Sequence, residues 1–404
     1  MASGGAALAE PSWLAARRER AAVLKGELPL PTWKGELGWE FSPLGEFDIE
    51  AFEVGAPADL PPAAAPLLVA PSTSVPDGAL VLPLAEAAVS HAEIVERWLG
   101  SVAPGDDAFV VRNDATWADG RLVYVPRGTR LAEPIVISAV VDGATALHWR
   151  TLVVLEEDAE AEVWEQHLSS DEESAGLLNT VVELVVGQGS TLRYVSGQDV
   201  NERTWVFGSQ RAEVAREGSL DWAALGFGGR GGKVRMETKL AGEGSHAKVT
   251  GAYAGLHRQH LDFDTTQEHA APNTTSDLAF RGVLQNRATA VWRGMIKVDP
   301  GAQQTDAFQE SRNLLLSKRS HADAIPGLEI AANDVRCTHA AAVAQIDKEQ
   351  LYYLMAHGLP REQAKRLVIE GFLSELVERF HEGPLRDQVG GALERRLAEL
   401  LGDD

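Results

Sequence analysis

From about residue 106 to residue 335, apolar and polar residues alternate in short runs. Examples are LVYV at Leu122–Val125, IVI at Ile135–Ile137, LVVL at Leu152–Leu155 and VVELVV at Val181–Val186. A period of two is the signature of half-buried strands. Small-residue turns punctuate the runs at Gly128-Thr129, Ala159-Glu160, Gly189-Ser190, Gly218-Ser219 and Gly244-Ser245. They recur about every 30 residues, and Gly301 follows after about two such intervals. Self-similarity of that length, with few helix signals, predicts a β-solenoid in which each rung buries its apolar face against the next. A β-sandwich also has evenly spaced short strands, but the regular turn period favours the solenoid.

The flanks carry a different period. In residues 1–105 a helix is expected from Pro11 and Ser12 through Trp13, Leu14, Ala21, Ala22 and Leu24. Gly26 and the segment LPLPTWK (Leu28–Lys34) stop it, because each proline lacks a donor and restricts its predecessor. Trp33, Trp39 and Phe41 read as aromatic anchors in a loop, Ala56–Pro71 as an Ala/Pro-rich loop, and Leu84–Leu99 as a helix. Residues 336–404 read as a helical tail. Asp347 can cap a helix that Gly358 ends. Pro360 suits the first turn of a second helix carrying Ala364, Leu367, Val368, Phe372, Leu376 and Phe380. A last helix follows Pro384 with Val389, Leu393, Leu397 and Leu400 on one stripe. Helices so placed suit either the covering of a solenoid end or a docking surface.

Composition narrows the function classes. The chain has 404 residues, 45% hydrophobic and 24% charged, the make-up of a soluble protein long enough for a large core and two or three domains. A formal charge of −22 repels nucleic acid and anionic membrane, so neither is expected as a partner, while basic surfaces on other proteins are. No stretch approaches the roughly 18 apolar residues of a membrane span. The first residues, MASGGAALAEPSW, lack the basic and apolar regions of a secretory signal. A single cysteine excludes an internal disulfide framework and fits a reducing compartment, so a cytoplasmic address is expected.

That cysteine, Cys337, stands two residues before His339 in a segment of strand character. If Val335–His339 is extended, Cys337 and His339 share one face while Arg336 and Thr338 point the other way. A thiolate beside an imidazole is half of a soft-metal or Fe–S site. A cluster takes about four protein ligands, and this chain has no second cysteine, so the remaining ligands would come from another subunit. The plainer alternative is that Cys337 is a small core hydrophobe. Other candidates are weaker. His257, His260 and His269 do not converge at strand spacing. GFGGRGG at Gly226–Gly232 lacks the Lys-Ser/Thr ending and helix of a phosphate loop and reads as a tight or mobile loop. Asp262 and Asp264 share a strand face, as in some solenoid enzymes acting on sugars, with no second feature beside them. There is no nucleophile elbow and no paired zinc motif, and an enzyme acting on sugars stays open as the weaker alternative.

Three long stretches together resemble the SufB/SufD family of iron–sulfur cluster assembly proteins, and its SufD branch more than SufB. They are QTDAFQESRNLLLSKRSHADAIPGLEIAANDVRCTHAAAV (Gln304–Val343), IDKEQLYYLMAHGLPREQAKRLVIEGF (Ile346–Phe372) and HLDFDTTQEHAAPNTTSDLAFRGVL (His260–Leu284). The LPLPTWK segment is similar to the start of SufD proteins. The resemblance implies a right-handed parallel β-helix flanked by helical N- and C-terminal regions. It implies a non-catalytic scaffold for transient iron and a transient iron–sulfur cluster, with none tightly bound. It also implies a complex with a SufB-like subunit and a SufC-like ABC ATPase held by the C-terminal helices, or a homodimer in isolation. Under that resemblance His339 is the cluster-site residue, a SufB cysteine lies opposite it, and Cys337 matches a neighbouring family cysteine. SufB proteins usually carry Glu directly after the matching histidine, and this chain has Ala340.

Overall fold

The computed structural model describes residues 10–32, 36–45, 47–61, 66–69 and 78–402. Trp33 and parts of the two expected loops lie outside them. The chain begins with α1 (Ser12–Glu27), a 3₁₀ turn (Ile49–Ala51), β1 (Glu53–Val54), β2 (Leu80–Pro83), α2 (Leu84–Ser90), α3 (Ala92–Trp98) and α4 (Ala108–Thr116). The body follows as β3 (Asp119–Val125), β4 (Ile135–Val141), β5 (Thr145–Leu155), β6 (Glu160–Ser169), β7 (Leu177–Val186) and β8 (Thr191–Asp199). It continues as β9 (Trp205–Val214), β10 (Ser219–Gly226), β11 (Gly231–Leu240), β12 (His246–Gly255), β13 (His260–His269) and β14 (Thr275–Leu284). The last strands are β15 (Thr289–Val298), β16 (Thr305–Leu315), β17 (His321–Ile330) and β18 (Val335–Gln345), before α5 (Lys348–Ala356), α6 (Arg361–Val377) and α7 (Pro384–Leu401).

From β3 onward each strand pairs in parallel with the strand two further along the chain. Odd-numbered strands build one sheet and even-numbered strands the other, giving a β-solenoid of about 8 turns. A sandwich of antiparallel hairpins is excluded. Alternate side chains fill the space between the sheets, among them Trp149, Tyr194, Trp222, Phe280 and Trp292, all essentially without solvent exposure. One corner carries a column of left-handed residues, Gly128, Asp158, Gly189, Glu217, Gly244, Asn273 and Gln304. Each donates its backbone N–H to a carbonyl of the next rung's turn, for example Gly189 to Arg216 at 2.9 Å and Asn273 to Gln303 at 2.9 Å. The missing turn between Gly244 and Gly301 is therefore Asn273, whose short amide side chain tolerates the left-handed region that glycine serves elsewhere.

The first rungs are covered. β2 runs antiparallel along β3, and α2, α3 and α1 close over Leu122, Leu152 and Val154. The expected single helix at Leu84–Leu99 breaks at His91, whose backbone leaves the helical region. Asn113 of α4 donates to the carbonyls of Trp149 at 2.9 Å and Asn179 at 3.1 Å. Arg150 is fully buried and bonds both Asp114 and Glu183, the latter at 2.6 Å. Glu183 also accepts from the backbone N–H groups of Gly100, Val102 and Ala103, and Asp114 holds Arg17 of α1 at 2.7 Å. Further along, residues 36–45 cross the odd-numbered sheet. Trp39 stacks on Phe109, and Ser42 bonds Asp262.

The tail does not cover the other end. α6 and α7 lie along the outer face of the even-numbered sheet. Ile369, Leu373, Leu376, Val389, Leu393 and Leu397 pack there against Val195, Ala223, Ala252 and Val283. Arg396 of α7 is buried and donates to the carbonyls of Phe227 at 2.6 Å and Ala254 at 3.2 Å. Among the described residues, β17 and β18, the last strand of each sheet, therefore pair on one side only. No helix among the described residues is long and apolar enough to cross a membrane.

Candidate functional site

β18 is held in register by β16, with Ala307 opposite Cys337, Gln309 opposite His339 and Asn313 opposite Val343. Ala307 belongs to the row that faces the solenoid interior. The period of two then turns Cys337, His339, Ala341 and Val343 inward and sends Arg336 and Thr338 out. Arg336 meets Asp306 at 3.4 Å on the outer side. On β17 the same alternation turns Leu328 and Ile330 inward. No rung follows, so these inward groups stand at the rim of an open mouth. Leu328, Ile330 and Val343 are exposed although they occupy core positions of the repeat.

Cys337 and His339 differ in setting. Cys337 is half-buried against Ile296, Val298, Ala302 and Ala307. Burial first, and the charge of Asp306 second, push its thiol above the ordinary value. At neutral pH the sulfur keeps its proton, and a metal must displace that proton to bind. The sulfur is thus both a packing group and a reachable one. His339 is exposed, and its ring has no hydrogen-bond partner among the described residues. Gln309 lies one rung deeper in the same column. Its Nε2 donates to the carbonyls of Gly294 at 3.2 Å and Gly327 at 3.1 Å, which leaves its buried Oε1 without a partner.

Among the described residues no group of three or more His, Cys, Asp or Glu side chains is placed to hold a metal ion. The mouth thus presents one thiol and one imidazole, side by side, with the remaining valences of any iron unmet. The arrangement can present ligands to a group that something opposite completes.

The other candidates are absorbed into structure. His257 sits in a turn at φ 48° and meets Glu202 at 2.9 Å. His260 bonds Thr289 at 2.8 Å. His269 is fully buried between Thr274 Oγ1 at 2.7 Å and Ser276 Oγ at 2.9 Å, and burial pushes it down to about 4, so it stays neutral. The three histidines do not converge. Gly228 lies so close to Val200 that a Cβ would sit 1.9 Å from its carbonyl oxygen, so GFGGRGG is a tight crossing of backbones. Asp262 and Asp264 share a face as expected, but Lys233 stands between them at 2.6 and 4.0 Å, and Asp262 also takes Ser42. Asp262 is thus spent on fastening the 36–45 segment, while burial raises the Asp264 carboxyl above its ordinary value.

Sequence reasoning missed Gln309, Leu328, Ile330 and Val343. Their alternation marks them as ordinary core residues, and only the absence of a following rung reveals them as a surface. A second exposed apolar surface lies on the tail. α5 buries none of its residues, and Tyr352, Tyr353 and Met355 are exposed with Leu367 of α6 nearby in sequence.

Two family models match the chain. The model for the SUF system FeS cluster assembly SufBD core domain matches residues 137–372, and that for the SufBD protein N-terminal region matches residues 68–137. The chain is similar to the iron–sulfur cluster assembly protein SufD of Bacillus subtilis, 28% identical over 325 residues that cover 79% of this chain and 74% of that protein. It is similar to an iron–sulfur cluster assembly SufBD family protein of Mycobacterium tuberculosis, 28% identical over 90% of this chain and 93% of the relative. The SufB protein of Bacillus subtilis also matches, 26% identical over 69% of this chain and 60% of the relative.

Proposed function

Because this chain belongs to the SufBD family of the SUF iron–sulfur cluster assembly system, we propose that it is a SufD-like, non-catalytic scaffold subunit whose open solenoid end pairs with a SufB-like sister. The observation that carries the reading is the unfinished last rung. Strands β17 and β18 have one unpaired edge each, and three core-type apolar residues and the Cys337–His339 pair stand at the mouth. Exposed edges and contiguous apolar patches are ordinarily covered by a partner. Pro326 within β17 suits an edge strand, where a missing N–H costs least.

In this reading iron and sulfide are cargo. His339 offers an imidazole nitrogen, Cys337 a sulfur that is deprotonated on binding, and a cysteine of the sister supplies what this chain lacks. The exposed aromatic face of α5 is the docking surface for a SufC-like ABC ATPase. Movement of that ATPase would pull on the tail and open the contact between the two solenoids. The setting is the cytoplasm, consistent with a single thiol kept reduced.

Replacing His339 with Ala in a reconstituted complex with SufB-like and SufC-like subunits should lower the cluster chromophore about tenfold or more while leaving the complex assembled. An unchanged cluster yield at full assembly refutes the assignment. The near-equal similarity to SufB supports a second reading, in which this chain acts as its own scaffold or pairs with a second copy through the same edges. Anaerobic reconstitution of the isolated chain separates the two, because only the second reading yields a stable, stoichiometric cluster without a sister.

A further inference from the structure

The turns that lead into the odd-numbered strands form a second corner. The residues two positions before Trp205, Gly231, His260, Thr289 and His321 are stacked by strand register. They are Arg203, Gly229, Arg258, Arg287 and Arg319, and Arg230 stands directly after Gly229. Backbone bonds fasten each turn to the next: Arg230 N–H donates to Thr204 O at 2.7 Å, Arg287 N–H to His257 O at 2.9 Å, and Thr289 N–H to Gln259 O at 2.9 Å. The guanidinium column is therefore built into the repeat.

Some cations at the other corner are paired: Arg127 meets Glu157 at 3.1 Å, and Arg216 meets Glu217 and Glu243. Here Arg203 meets Glu173 at 3.2 Å and His257 meets Glu202. Arg230, Arg258, Arg287, Lys318 and Arg319 are exposed and have no carboxylate partner among the described residues. These stacked unpaired cations lie on a chain of charge −22. Where the column begins it borders an open cleft of about 760 Å³, walled by Leu44 and by Trp205, over which Arg230 lies at 5.3 Å.

We propose that this corner is a docking track for an acidic α-helix of a partner protein. The spacing selects the helix. Rungs repeat about every 4.8 Å, and carboxylates one turn apart on a helix face repeat about every 5.4 Å. Over the four rung steps from Arg203 to Arg319 the two rulers drift by only about 2 Å, within the reach of a flexible arginine. An extended strand presents same-face side chains about 6.6 Å apart and falls out of step within two rungs. Leu44 and Trp205 supply an apolar wall for the helix's other flank. Nucleic acid is disfavoured because the remainder of the surface repels a long polyanion.

The test is fluorescence anisotropy of the full chain with a stapled, alanine-based peptide of about 18 residues, its glutamates on one face at i, i+4 and i+7. Saturable binding is expected, weakened about tenfold or more by the double variant Arg258→Glu with Arg287→Glu and by raising salt well above physiological strength. Both side chains are exposed, so the thermal midpoint should hold. If it does not, the neutralising pair Arg287→Gln with Arg319→Gln gives the same reading with less perturbation. A peptide of equal composition with glutamates dispersed around the helix should bind about tenfold more weakly. Equal binding of the two peptides, indifference to both variants, or tighter binding of an oligonucleotide of matched charge would each overturn the proposal.

Discussion

The two ends of the solenoid solve the same problem in opposite ways. A repeat that stacks apolar rungs must stop somewhere, and each end leaves an apolar face and unpaired backbone. At the start, β2 takes the edge of β3, helices cover Leu122 and Leu152, and Arg150 binds Asp114 and Glu183 beneath them. At the finish, the tail turns aside to the flank, and β17 and β18 keep open edges beside exposed Leu328, Ile330 and Val343. The same chain that spends a buried ion network on sealing one end leaves the other bare, which is what a subunit completed by a second solenoid requires. Sealing is thus a stability device at the first end, and under the proposed function openness is a binding device at the last.

The largest effect should come from breaking the seal. Arg150→Ala leaves buried Glu183 without its cation and Asp114 with Arg17 alone, and removal of one partner from such a network costs about 3–5 kcal/mol. Urea unfolding should show that loss. A change within about 0.5 kcal/mol would mean that the helices are held by packing alone. The matching change at the open end should behave in reverse. Leu328→Lys with Val343→Lys places charges where a partner's apolar surface would sit, and should weaken association with the sister subunit by about 2–4 kcal/mol. The isolated chain should lose only about 1 kcal/mol or less, since both residues are already exposed. Large destabilisation of the isolated chain with unchanged association would reverse the roles assigned to the ends.

Much of the body was legible because its turns obey a steric rule. Gly128, Gly189 and Gly244 sit where the backbone is left-handed, and the rung period follows from them. Asp158, Glu217, Asn273 and Gln304 fill the same place without glycine, which is why one turn escaped notice between Gly244 and Gly301. The face shared by Cys337 and His339 followed from strand alternation, and β16 holds β18 in the register that aims both inward. The open mouth was not legible. Leu328 and Val343 look like any buried strand residue, and the sequence carries no mark that the next rung is absent. Nor does periodicity say whether amphipathic helices such as α6 and α7 cover an end or a flank, because both bury one stripe. The arginine column was hidden for a related reason: its members are 27 to 32 residues apart in sequence and become neighbours only through register.

The smallest effect separates Cys337 as a packing group from Cys337 as a ligand held ready at the mouth. It is the only cysteine in the chain, so thiol alkylation reports one site. Burial and Asp306 both favour the protonated thiol, so its folded pKa lies above the ordinary value. The thiolate is the reactive form. At neutral pH the isolated subunit should therefore react more slowly than an unhindered thiol, with the rate rising as pH climbs through the raised pKa. Asp306→Asn removes the lesser of the two causes and should move the profile toward lower pH without restoring it fully. Covering the mouth with the sister subunit should slow labelling further, whereas a seat sealed within this subunit would show slow labelling that the sister does not change. If labelling instead matches a free thiol throughout, Cys337 does not occupy the apolar seat beside Ala307 and Ile296, and the contrast between a sealed and an open end loses its most direct chemical reporter.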